Sequence, residues 1–243
     1  MMNRNLLFFA WPYVATSLFL TGIVVRYLLE RKNATAVKEE MSEAWAVFRG
    51  SQVWRVSVIV LLVGHAGALL FPQTLLAWNR IPERLYLLEA FALTAALLAA
   101  AGGAMLLWRY LGRSSRSAIT ELSDTIFISL LLLAILSGLL MAMLYRWASS
   151  WGALILAPYI ASLLRGKPAA ELAVQMPFVV RLHVFSTFAA IAVLPLTRLA
   201  AFFIFAINAG MGLLARLISA AGHPAEEWLR RHNPAPWLWP EED

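Results

Sequence analysis

Four long stretches without a charged side chain constrain this 243-residue sequence more than any other feature. Asn5–Val25 runs for 21 residues, Val56–Asn79 for 24, Ala90–Trp108 for 19 and Thr125–Tyr145 for 21. About 20 apolar residues in a helix cross ~30 Å of hydrocarbon, and a helix satisfies its own backbone groups where water is absent. Composition agrees: 61% of residues are hydrophobic and 14% are charged, against roughly 25% charged in a soluble domain. The sequence therefore predicts an all-α fold, a polytopic membrane bundle.

Five transmembrane helices are expected, at about 6–26, 55–77, 86–109, 124–146 and 178–200. Pro72 and the Trp78–Pro82 stretch close the second, and Gly112–Ser117 makes a polar turn after the third. Alternating the loops between sides puts 13 of the 20 Lys and Arg residues on one face and seven on the other. The positive-inside rule then sets the N-terminus outside and the C-terminus in the cytoplasm. The net charge of +6 belongs to that asymmetry and calls for no nucleic acid; membrane lipid is the expected surrounding. With no cysteine, the chain offers no disulfide, iron–sulfur cluster or thiolate metal site of its own. The first apolar segment exceeds a signal h-region and lacks a small-residue cleavage site, so it is expected to stay as a helix.

Two segments fit this scheme less well. Trp147–Leu164 is uncharged, but Ser149, Ser150, Gly152 and Pro158 make it a poor span; an interfacial or re-entrant piece on the outer side is expected. Leu199–Ala215 is apolar directly after Arg198, with no turn signal, so the fifth helix is expected to run on beyond the membrane. The chain thus divides into a membrane domain, 1–205, and a helix extension with a tail, 206–243. Glu226–Asp243, with Trp237, Trp239 and Pro240, reads as a partner-docking segment.

His223 and His232 lie in the polar tail, where an exposed histidine usually does nothing. His65 and His183 fall inside apolar spans, where an ionisable residue is a functional-site hypothesis by default. Each lies about 10 Å from the outer end of its helix, counted at ~1.5 Å per residue from Pro72 and Pro177. Two imidazoles at matching depth can be axial ligands of a haem iron, with room supplied by small residues such as Gly64, Gly67, Gly102, Gly103 and Gly138. The simpler alternatives are neutral imidazoles bonded to neighbouring helices and glycines that only let helices pack closely. A bare transition-metal site fits less well, because no carboxylate or thiol accompanies the histidines.

Val63-Gly64-His65, Gly102-Gly103, Ser137-Gly138, Ala157-Pro158-Tyr159, Arg181-Leu182-His183 and Pro195-Leu196-Thr197-Arg198-Leu199 together resemble the gamma subunit family of respiratory nitrate reductases, over roughly residues 6–200. That family is a five-helix cytochrome b with two haems that oxidises membrane quinol; relatives serve sulfite-reductase-linked and hydrogenase complexes. The resemblance implies a multi-pass protein of the bacterial inner (cytoplasmic) membrane, with an iron–sulfur or other redox subunit as partner. It matches His65 and His183 to the axial iron ligands of the outer haem. It places Arg55 and Ala201 where the inner haem would need histidines, so one haem b is expected. Gly67, Gly103 and Arg181 are expected at the haem edge or its propionates.

Arg84 stands six residues after Trp78, the spacing that the family shows between a tryptophan and a lysine beside its quinone. With Gly64, it is expected at a quinone site, where a cation binds a quinone oxygen and stabilises negative charge on it. The alternative is an arginine that snorkels to lipid phosphate.

The expected function is electron exchange between membrane quinol or quinone and a partner redox subunit through one bis-histidine haem, as the quinol-oxidising membrane subunit of a nitrate-reductase-like complex. A redox-silent membrane anchor of a soluble complex is the alternative. A transporter is disfavoured, because paired intramembrane charges and broken-helix repeats are lacking, and Glu89, the lone candidate, lies near an interface.

Overall fold

The computed structural model describes residues 2–30, 33–49, 52–111, 118–145, 147–169, 171–172 and 175–231. The expected turn at 112–117, Arg146, and the tail from residue 232, with His232, Trp237, Trp239 and Pro240, lie outside them, as does the side chain of His223.

Among the described residues the fold is all-helical. Helix α1 is Met2–Glu30, α2 Ala34–Arg49, α3 Gln52–Leu70, α4 Pro72–Trp78, α5 Pro82–Leu111 and α6 Ala118–Leu144. Helix α7, Ala148–Leu164, contains a π turn at Gly152–Leu156. Pro158 has no N–H to give the carbonyl four residues earlier, and a widened turn accommodates that loss. Helix α8 is Phe178–Val193 and α9 is Ala200–Arg231.

Side by side, the long helices run α1, α8, α6, α5, α3. At one end of the bundle α7 bridges the two edges of this row. It packs against α3, and Tyr159 donates its hydroxyl to the Phe8 carbonyl at 2.7 Å while Tyr13 donates to that of Leu163 at 2.9 Å. At the other end α2 does the same, touching α1, α3 and α9. The interior of the row, between α3 and α8, therefore has a roof and a floor.

Three expectations need correction. Six helices, not five, are long and apolar enough to cross a membrane, the sixth being Ala200–Ser219. The second expected span, 55–77, is divided at Phe71 into α3 and α4, because Pro72 starts a helix more readily than it continues one.

The fifth helix does not run on. It ends in a 3-10 turn at Leu194–Leu196, and Thr197 is extended. Pro195 breaks the hydrogen-bond ladder, and α1 takes up what it frees. Arg26 donates to the Pro195 carbonyl at 3.2 Å and the Thr197 carbonyl at 2.7 Å, while pairing with Glu30 and Glu40. Gly22 makes the approach possible, since a Cβ there would lie 2.6 Å from the Cβ of Pro195.

The outer segment also differs in character from an open apolar surface. Ala153, Ala157, Tyr159 and Leu163 of α7 are buried in the bundle, against Phe8, Val180 and Val184. Exposed apolar residues line α9 as they line the other long helices, at Met211, Leu213, Leu214, Leu217 and Ile218.

Candidate functional site at the facing histidines

His65 comes from α3 and His183 from α8, helices that run in opposite directions. Their ring centres lie 6.0 Å apart with planes inclined by 28°. That is too far for face-to-face contact. It equals two metal–nitrogen bonds of about 2 Å plus roughly 1 Å from each nitrogen to its ring centre.

The hydrogen bonds of the two rings fix which nitrogen is free. His65 Nδ1 lies 2.7 Å from the Leu61 carbonyl, and His183 Nδ1 lies 2.8 Å from that of Ala134, with Ser137 Oγ at 3.4 Å. A carbonyl only accepts, so each Nδ1 carries the hydrogen and each Nε2 keeps its lone pair. Metal-binding histidines are oriented in this way by backbone carbonyls.

Glycines shape the surroundings unequally. At Gly64 and Gly67 a Cβ would meet nothing within 4 Å, so α3 is open at both positions. Gly138 of α6 lies directly against the His183 ring. Gly102 and Gly103 serve elsewhere: Cβ atoms there would lie 2.8 Å from the Cβ and Cζ3 of Trp54, which is 1% exposed. Gly103 therefore accommodates an indole in the α2 half of the bundle, not the space beside the histidines. Arg181 has a buried Nε without a hydrogen-bond partner. Two positions apart on a helix, Arg181 and His183 leave it on different faces, so the structure does not bring the two side chains together.

The fit for a haem can be tested at both ends of the bundle. At the α7 end the residues suit one: two imidazoles with ring centres 6.0 Å apart, each with its Nδ1 on a backbone carbonyl, and glycines nearby on α3. At the α2 end they do not. Ala201 is fully buried and packs with Val37 and Ile204. The Arg55 guanidinium lies 4.9 Å from the Trp45 ring centre, and Trp45 also meets Phe202 at 6.2 Å. Neither position offers a nitrogen with a lone pair, and each packs against a side chain of α2: Arg55 on Trp45, and Ala201 with Val37.

Arg84 and Trp78 do meet. The guanidinium carbon lies 5.0 Å from the centre of the Trp78 ring, and Trp78 Nε1 donates to the Arg84 carbonyl at 3.4 Å. The six-residue spacing folds the α4–α5 turn so that an exposed cation stacks on an exposed indole. Sequence reasoning missed Asn79, Ser149 and Ser150, which form a part-buried polar cluster bonded to Glu89. The lone carboxylate in an apolar run was the available signal. Among the described residues no group of three His, Cys, Asp or Glu side chains is placed to hold a metal ion by itself.

Comparisons with known proteins follow the same direction. The sequence family described as nitrate reductase gamma subunit matches residues 4–219. The nitrate reductase gamma chain of Bacillus subtilis is 24% identical over 206 residues, covering 82% of this chain and 90% of its own length. Respiratory nitrate reductase 2 gamma chain of Escherichia coli is 28% identical over 131 residues, 53% of this chain and 58% of that one. Nitrate reductase-like protein NarX of Mycobacterium tuberculosis is 24% identical over 215 residues, 84% of this chain but 32% of the longer relative.

Proposed function

The chain belongs to the nitrate reductase gamma subunit family, and on that premise we propose that it is the haem b subunit of a membrane-bound respiratory oxidoreductase complex. It exchanges electrons between membrane quinol and a partner redox subunit. The observation that carries this reading is the His65–His183 pair, with a 6.0 Å span and both Nδ1 atoms bonded to backbone carbonyls.

His65 and His183 would hold the iron through Nε2, and the Leu61 and Ala134 carbonyls fix the tautomer and orientation of the two rings. Gly64 and Gly67 leave the face of α3 clear for a flat macrocycle. Arg181, with its unpartnered Nε, answers an acidic group such as a propionate that reaches round α8. A haem supplies one-electron chemistry, with its potential set by these axial ligands and by burial. Arg84 on Trp78 binds a quinone oxygen and stabilises negative charge there. The misfit at Arg55 and Ala201 supports one haem per chain.

In this reading the α7 end faces outward and the α2 end the cytoplasm of a bacterial inner membrane. The spans α1, α3, α5, α6 and α8 cross, the N-terminus lies outside, and α9 starts at the cytoplasmic side, where it meets α2. Residues 1–205 form the membrane unit and 206–243 its extension, whose exposed apolar residues suit a partner subunit better than α7 does. A redox-silent anchor would need neither opposed histidines nor their carbonyl acceptors. A reduced-minus-oxidised spectrum of the purified chain tests the choice. A b-type band that a quinol can reduce supports the electron carrier, and a featureless spectrum leaves the anchor.

A further inference from the structure

Polar residues that the histidine pair does not use gather at the α7 end. Asn79, at the C-terminus of α4, is only 9% exposed. Its Nδ2 donates to Ser149 Oγ at 3.0 Å and Ser150 Oγ at 2.9 Å. Ser149 donates its hydroxyl to Glu89 Oε1 at 2.6 Å, and its backbone N–H donates to the same oxygen at 2.9 Å.

This chain of bonds has one direction. An oxygen that already accepts a backbone N–H also accepts the hydroxyl, so Ser149 is the donor and its lone pairs face Asn79. The Asn79 amide must then turn its NH₂ to the serines and its Oδ1 away from them. That Oδ1 is buried and has no partner. A buried acceptor is seldom left so, and only a donor can satisfy it.

Flat aromatic surfaces flank the cluster. Trp78, next in the chain to Asn79, carries the Arg84 guanidinium. Trp147, two residues before Ser149, lies 5.4 Å from the Tyr86 ring centre. Trp78 and Tyr86 are exposed.

We propose that Asn79 Oδ1 receives a hydroxyl of a hydroquinone headgroup, so that this site binds the reduced form in preference to the quinone. The inference rests on the quinol reading above and adds the selectivity to it. A hydroquinone brings an O–H to the orphaned acceptor. A quinone brings carbonyl oxygens only, and two acceptors face to face leave both unbonded, which is how a hydrogen-bonding site rejects a near-isostere. Arg84 is donor-only and binds an oxygen of either form, so it attracts without choosing. Glu89 is a positioning residue: by holding the Ser149 hydroxyl, it fixes which way the Asn79 amide points.

Equilibrium dialysis of the full chain in detergent, with menadiol under argon and menadione in air, tests this. Menadiol is expected to bind at least about tenfold more tightly, a ratio that one hydrogen bond to a buried group supports. Asn79→Leu removes the acceptor and should lower menadiol affinity about tenfold without weakening menadione, so the preference is lost. Ser149→Ala frees the amide to rotate and should shrink the preference without changing Asn79, which covers the case where Asn79→Leu does not fold. Equal binding of the two forms, as an ordered water on Oδ1 would give, overturns the proposal. So does a preference that survives both substitutions. Haem absorbance on the same samples keeps the two readings apart. Haem without selectivity fails this inference alone, and selectivity without haem fails the haem assignment alone.

Discussion

Gly138 stands against the imidazole of His183 with no space to spare: a Cβ on it would lie 3.0 Å from the ring Cε1 and 3.2 Å from Nδ1. The ring is held between this glycine on α6 and the Ala134 carbonyl one turn earlier on the same helix. The contact gives a test that leaves both histidines in place. Gly138→Ala should push the ring off its carbonyl acceptor and weaken haem retention by about 10–100-fold, the usual effect of disturbing a ligand's supporting bond. Competitive transfer of haem to an apo-globin would measure it. Retention equal to that of the unaltered chain would show that the ring has room to move.

A second relationship secures the break between α8 and α9. Asp124 accepts the Arg198 backbone N–H at 3.1 Å and faces Arg198 Nε at 3.3 Å, while Glu43 reaches the same guanidinium at 3.5 Å. The Asp124 side chain is 7% exposed, so its removal leaves a cation in a mostly closed site. Asp124→Ala should destabilise the chain by about 3 kcal/mol, the lower part of the range for breaking a buried pair. Glu43 retains some compensation. Thermal unfolding followed by circular dichroism in detergent checks it, and an unchanged midpoint would mean that the pair is decoration.

Arg84 should govern turnover and not haem insertion. It is exposed and rests on Trp78, outside the histidine pair. Arg84→Ala is expected to slow quinol-driven reduction by ~10²-fold, as loss of one placed donor to a developing anion does. The haem absorbance should stay as it was. Unaltered quinol kinetics would assign this arginine to lipid.

Much of the fold was legible because membrane helices announce themselves through uncharged runs. The lone histidines in those runs marked the site for the same reason. What the sequence hid was local. Pro195 lies inside a continuous apolar run, and the end of α8 depends on Arg26, 169 positions earlier, taking up its carbonyls. A sixth apolar helix went unseen as a separate element because nothing near Leu199 reads as a turn. Gly103 was indistinguishable from Gly64 as a letter, yet one holds Trp54 and the other faces open space. Trp147–Leu164 read as an interfacial or re-entrant piece, because the burial of Tyr159 and Leu163 with Phe8 and Val180 is a tertiary fact that no local pattern carries.

The partner contact should map to α9. Leu213, Leu214, Leu217 and Ile218 form an exposed apolar group within about one and a half turns, on the helix that leads into the extension read as partner-docking. A photo-crosslinking residue at position 214 or 217 should capture an iron–sulfur or other redox subunit in intact cells. Capture only from positions on α7 would move the partner to the opposite face.

The central claim is that His65 and His183 together hold one haem. Haem extracted per chain from purified protein, compared with His65→Ala and His183→Ala variants recovered from the membrane at normal abundance, measures it directly. The account predicts a ratio near one for the unaltered chain and near zero for each variant. Two haems per chain, or haem retained in both variants, would contradict it.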